Sequence, residues 1–427
     1  MGMVDLQAWA AGEGIDFVDA DAEAKYRERT DRMLKILDRE EPDRTPVHLL
    51  ADFLAGHFAD VSFEEMMYDA EKSADAYRQF LDRFDPDFNP VFPVAPGRMG
   101  DILGYTVYDW PGDGLESDMG FQANEDEYMK GDEYEELITD PTRYMLTKWY
   151  PRAFDALEGF EQLPLTTYAT ELTLLPFGMG AFGTEPGQKA LDALTEAGEA
   201  TLQWQQSVGA VQVEGNMRGY PSTAGGMGKA PFDVIGDTLR GTRNVMVDMR
   251  KRPEQVKAAA EALVPEMTQM AIEGPKQSGV PFTMFVLHKG DDNFMSDADY
   301  REFYWPTLKQ VMENVMDEGI VPWMFAEGSY EDRLDVIAED QPEGNVIWHF
   351  DQTDLGLAKE KIGDVATIAG NVPTGLIKTG DPDGVREYCE EQIETAGPDG
   401  FLLTPGATVY RGPEENLQAI IDSVKQD

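Results

Sequence analysis

The chain has 427 residues and a mass of 47.6 kDa, room for two or three domains or one large barrel with a core that needs no disulfide or metal staple. It carries 81 acids against 35 Lys and Arg, a formal charge of −46. A surface this negative repels phosphate backbones and anionic lipid, so neither nucleic acid nor a membrane is expected as a partner, and the acid excess reads as a solvating surface suited to high salt. The single cysteine, Cys389, sits in a helical pattern and excludes an internal disulfide, a Cys-rich zinc site and an iron–sulfur cluster. The amino terminus lacks the basic region and apolar run of a signal peptide, and its MGMVDL misses the Ser/Thr of a myristoylation signal. No run of 18 apolar residues occurs. A soluble, cytoplasmic protein is expected.

Residues 1–40 read as an N-terminal helical extension, with apolar positions at helical spacing through 19–40. A strand is expected at Val47–Leu50. A helix is expected over 62–84, opened by Ser62 with Glu65 three residues on, a capping box. Residues 87–94 read as a second strand. Residues 109–140 hold twelve acids and one lysine, Lys130, and read as an acidic insertion with one short helix near 133–138. The apolar run 163–175 reads as a third strand, 187–208 as a helix, 211–213 as a short strand and 216–231 as a Gly-rich loop.

From residue 253 the alternation is regular. Helices are expected at 253–277, 297–318, 330–339, 355–362, 382–396 and 413–425. Strands are expected at 280–287, 320–325, 346–350, 366–369 and 401–403. Short strands of nearly continuous apolar character are those covered on both faces. Strict alternation with helices implies a parallel sheet. About eight strands without a linker favour an α/β fold with a single (β/α)8 TIM barrel over 41–427; an open doubly wound sheet is the alternative.

Two motifs are weak. Gly178-Met179-Gly180-Ala181-Phe182-Gly183 fits the dinucleotide fingerprint, but Pro176 and Pro186 break its strand-to-helix context, so a barrel loop is the better reading. Gly228-Lys229-Ala230 lacks the Ser/Thr of a phosphate loop. Position carries more than motif, because parallel barrels gather their chemistry where strands end. Those ends supply His288, Glu327, Asp351 and Asn371 as catalytic candidates. Asp52, Arg98, Tyr168, Arg218, Tyr220, Lys289, Asp291 and Phe325 are candidate substrate-binding residues, with Thr170 and Glu171 nearby. Glu327 and Asp351 stand among Trp and Phe residues, where desolvation raises a carboxyl pKa toward that of a general acid. His288 can serve as acid or base. His48 lies near the first strand, and His57 reads as peripheral.

Several segments resemble the uroporphyrinogen decarboxylase superfamily, which includes corrinoid-linked methyltransferases: GKAPFDVIGDTLRGTR (228–243), HKGDDNFMSDADYREFYWPTLKQVM (288–312), FAEGSYEDRLDVI (325–337), AGNVPTGLIKTGDPDGVREYC (369–389) and FLLTPGATV (401–409), with RTPVHLL (44–50) matching more loosely. The resemblance implies a (β/α)8 barrel. It also implies a corrinoid (cobalamin) cofactor, carried by a corrinoid protein partner or bound transiently, and a homodimer. The zinc ligands of the thiol-methylating members fall at Phe325, Glu327 and Ala407, so no zinc is expected. The Arg-rich segment by which true uroporphyrinogen decarboxylases grip their substrate corresponds to VHLLADFLAGHF, which has no Arg or Lys. The leading expectation is therefore a demethylating methyltransferase that takes a methyl group from a small methoxylated or methylated donor. A cofactor-free decarboxylase or lyase acting on a small carboxylic acid is the alternative, and a non-catalytic binding barrel the third reading.

Overall fold

The computed structural model describes residues 3–425. Met1 and Gly2, the start of the MGMVDL segment, and residues 426–427 lie outside the described residues. Six parallel strands form one sheet in chain order: Gly226–Gly228, Phe282–Leu287, Val321–Ala326, Ile347–Phe350, Thr367–Val372 and Phe401–Pro405. Two extended segments close the sheet into a ring. Residues 47–51 pair with the last strand through a parallel bridge between Val47 and Leu403, and His48 N–H donates to the Leu403 carbonyl at 2.9 Å. Residues 89–92 pair with the first segment through Ala51 and Val91. Asn89 N–H then donates to the carbonyl of Pro221, ahead of Gly226–Gly228, at 2.9 Å. These eight staves make a TIM barrel.

The second half follows the expected alternation closely. Helices Pro253–Ser278, Leu355–Ile362 and Pro382–Ala396 cover the barrel wall. Ser62 and Glu65 form the capping box, although Asp69 interrupts the helix and caps a second one, Ala70–Arg83. The third stave lies elsewhere than expected. Residues 163–175 are exposed 3-10 turns, because Pro164 and Pro176 have no N–H to give a ladder and Arg143 takes the Leu163 and Pro164 carbonyls at 3.3 and 3.5 Å. Residues 211–213 continue the helix Glu185–Met217. The real stave, Gly226–Gly228, falls in the segment that reads as a Gly-rich loop. The excursion between the second and third staves thus spans 95–220. Its residues 109–140 contribute to a small sheet of Tyr108–Pro111, Gly114–Leu115 and Gln122–Ala123.

Helices Leu6–Ala11 and Ala20–Leu37 lie across the N-terminal end of the barrel. Trp9, Met33, Ile36 and Leu37 pack there against inward side chains of the staves, including Phe282, Trp323 and Leu402. Trp9 donates to the Ser222 carbonyl at 3.0 Å, and Thr367 to the Ile36 carbonyl at 2.8 Å. Arg32 reaches Asp43 and Asp87, and Arg44 shares Asp87, tying this layer to the first two staves. With one end covered, the chemistry is confined to the other. No helix among the described residues is long and apolar enough to cross a membrane.

Candidate functional site

The C-terminal ends of the third to sixth staves bring one group of ionisable side chains together. After Gly228 come Lys229 and a helical turn carrying Asp233 and Asp237, four residues apart and on one face. Asp233 is fully buried. It accepts from the backbone N–H groups of His288 (3.1 Å) and Lys289 (2.9 Å) and from the Tyr304 hydroxyl (2.8 Å). It thereby fixes the loop that leaves the fourth stave. Burial, with Asp237 adding like charge, pushes its pKa up.

Asp237 accepts from His288 Nδ1 at 2.6 Å and is flanked by the ammonium groups of Lys229 (2.9 Å) and Lys289 (3.1 Å). Burial works to raise its pKa, but the His288 hydrogen bond and these cations hold it well below the usual carboxylate range. The bond to Nδ1 orients the imidazole so that Nε2 faces Glu327, whose Oε2 lies 3.7 Å away. Burial pulls the His288 pKa down; the hydrogen bond to Asp237 and the charges of Asp233, Asp237 and Glu327 outweigh it, and the net shift is upward. Partial burial, helped by Asp351 and the two aspartates against the pull of His288, raises Glu327. Asp351 ends the next stave beside it and accepts from Gly328 N–H at 3.2 Å and from the Gln352 side chain at 3.1 Å. The arrangement is an imidazole held on one side by a carboxylate, with Nε2 turned to the mouth and its protonated form favoured by the carboxylates around it. That geometry suits proton donation.

Asp52 ends the first stave on the same face. Its Oδ1 is buried with no hydrogen-bond partner, and burial pushes its pKa up to about 7. Tyr410, pushed up to about 12 chiefly by burial, also senses the charges of Asp52 and Glu327.

The structure brings His288, Lys289, Glu327 and Asp351 together, with Asp52 on the same face. Other candidates fall outside the site. Arg218 and Tyr220 precede the third stave instead of following it. They lie at the covered end of the barrel, bound to Asp82 (2.6 Å) and Asp85 (3.0 Å). Tyr168, Thr170 and Glu171 belong to the turns that replace the expected strand, and the Tyr168 ring rests near Phe177. Arg98 is exposed on Gly97–Leu103 and pairs with Glu196 at 3.4 Å. Asn371 is buried in the wall, donating to the Thr353 carbonyl and accepting from the Tyr388 hydroxyl, both at 2.9 Å. Asp291 is a loop cap, accepting from Asn293 and Ser329 N–H groups. Phe325 sits two residues below Glu327 on the inward face, buried against His349 at 4.6 Å. His349 and His48 lie inside the barrel, and burial lowers them to about 4 and about 3. His57 faces the Gly412 carbonyl at 3.2 Å. Sequence reasoning missed Asp233, Asp237 and Tyr304 and met Lys229 in a motif that fails as a phosphate loop. The acid pair at i and i+4 directly after a glycine strand was the available signal.

Eight parallel staves with their ionisable groups at the C-terminal mouth define a TIM barrel whose site lies where such barrels perform chemistry. Residues 220–426 match the uroporphyrinogen decarboxylase (URO-D) family. It is 26% identical over 137 residues to the uroporphyrinogen decarboxylase, chloroplastic, of Zea mays. That match covers 31% of this chain and spans about a third (33%) of the maize protein. A methyltransferase from Methanosarcina mazei shares the fold across 93% of this chain and 97% of its own, with a TM-score of 0.59 and 15% identity.

Proposed function

We propose that the chain is a methyltransferase of the demethylating kind, moving a methyl group from a small methoxylated or methylated donor to a corrinoid without zinc. The observation that carries this reading is the His288 pair: Nδ1 held by Asp237 and Nε2 open toward Glu327. When a methoxyl C–O bond breaks, negative charge develops on the departing oxygen. A proton supplied there lowers the barrier, and general acids of this kind contribute roughly 10²–10⁴-fold. His288 is the donor, Glu327 and Asp351 orient donor and substrate, and Lys229 and Lys289 steady the charge that gathers on the leaving group.

In this reading the corrinoid is a substrate, brought to the mouth by a partner protein or bound transiently. It supplies the electron pair that accepts the methyl group.

The two lysine ammonium groups beside Asp237 favour a second reading, a cofactor-free decarboxylase or lyase. There Lys229 and Lys289 would hold a substrate carboxylate and His288 would deliver the proton. One assay separates the two. The purified protein is offered cobalt(I) corrinoid with methoxylated aromatics, methylated amines or methyl sulfides, and the cobalt(I) absorbance is followed. Loss of that band with one donor, abolished in His288→Gln, is the expected result. An unchanged band with every donor, together with turnover of a carboxylic acid in the absence of corrinoid, would replace methyl transfer with the lyase. Tight ligand binding without either turnover would leave a binding barrel.

A further inference from the structure

Beside the mouth, at the C-terminal end of the second stave, lies a cavity of about 210 Å³ that the proton-donating group does not use. Its wall is made by Tyr105, Tyr108, Trp110 and Phe121 with Met67 and Met99, and no charged residue lines it. This is anomalous for its place in the chain, because residues 109–140 are the most acidic stretch of a protein with a charge of −46. Strand alternation explains how the wall stays neutral. Tyr108 and Trp110 turn to the cavity, while Asp109 between them points away and is held by the Asn124 side chain at 2.8 Å. The polar atom of Trp110 is also turned aside. Its Nε1–H donates to the Tyr68 hydroxyl at 3.0 Å, which donates onward to Asp101 at 2.9 Å. Gly100 lets the Trp110 ring lie against the helix Gly97–Leu103, since a Cβ there would stand 2.6 Å from it.

We infer that this cavity binds a neutral aromatic ring, with the acidic insertion contributing Trp110 and Phe121 to its wall. An apolar cavity of roughly 150 Å³ already holds benzene, so the volume suits one substituted ring. Ring edges and faces on several sides suit an aromatic guest better than an aliphatic one. A carboxylate or ammonium turned into that wall would be desolvated without a partner. The cavity adjoins the mouth through Phe121, whose ring lies 5.3 Å from Phe53, the residue after Asp52. As the docking place for the donor's ring, the cavity rests on the methyl-transfer reading; as a ring-binding site it stands without it.

The test is direct binding to the full-length protein, by titration calorimetry and ligand-observed NMR, with no turnover required. Anisole and toluene are the neutral probes; benzoate and benzyltrimethylammonium are charged probes of similar size. The expected result is one-to-one binding of the neutral probes. It weakens about tenfold or more when the cavity is filled in Ala95→Trp or Met99→Trp, or loses a wall in Phe121→Ala. Binding should be unchanged in His288→Gln. Equal binding to the filled variants, tighter binding of either charged probe, or no binding up to the solubility limit would each overturn it. Ring binding without methyl transfer from any donor would remove the proposed function and leave this site intact.

Discussion

His288 stays protonated above the usual histidine range because three carboxylates outweigh its burial, and Asp237, at 2.6 Å, is the strongest of them. The sign follows from the direction of that shift. A step that needs this proton runs at full rate at low pH and is lost as pH rises through the raised value. The same pairing stabilises the fold below the unfolded histidine value near 6.5, a contribution lost as pH rises through the folded value. Asp237→Asn removes the charge and keeps the shape. It should lower kcat about 10²-fold and move the alkaline limb of the pH–rate profile toward acid, with Asp233 still holding the loop. If the limb does not move, the proton comes from Glu327 instead. His288, Glu327 and Asp351 were legible in the sequence because each directly follows an apolar strand, with Lys289 next to His288. Asp233 and Asp237 were not, because the strand before them is the short Gly-Met-Gly, which carries little hydrophobic signal.

The misplaced third stave shows where pattern fails at the level of an element. Residues 163–175 and 211–213 have the apolar and β-branched composition of strands, yet one is exposed turn and the other is helix. Two of the three residues of the true stave, Gly226-Met227-Gly228, are glycine for a steric reason. A Cβ on Gly226 would come within 2.6 Å of Pro275 in the covering helix, and one on Gly228 within 2.5 Å of the buried Phe285 ring. Only glycine fits at those two positions. Gly228→Ala should therefore lower the urea midpoint, with a loss of about 1–3 kcal/mol from overpacking. An unchanged midpoint would mean that Phe285 repacks freely. The same error moved Arg218 and Tyr220 to the wrong end of the barrel. A site read from strand ends inherits every mistake in strand placement. From residue 253 onward the staves are ordinary apolar strands, and there the reading of the fold held to within a few residues.

At the scale of the molecule the unbalanced charge dominates. Its cations are engaged in local pairs such as Arg32 with Asp43 and Asp87, and 46 more acids than Lys and Arg leave a large uncompensated negative charge. Self-repulsion of this kind opposes the compact state and is screened by salt. Raising ionic strength from 0.1 to 1 M shortens the screening length from about 10 to about 3 Å. The thermal unfolding midpoint should rise over that range, equally in NaCl and KCl. A flat or falling midpoint would show that the acids are held apart well enough for repulsion to be negligible. The barrel floor carries a different consequence. With Trp9 and Ile36 closing the lower end, the molecule is a cup and not a tube, and nothing passes through it. Donor, acceptor and spent product share one doorway, so each must clear it before the next arrives. Under the proposed methyl transfer, demethylated product would compete with fresh donor for the same entrance, and turnover would slow as product accumulates even while the chemistry remained fast.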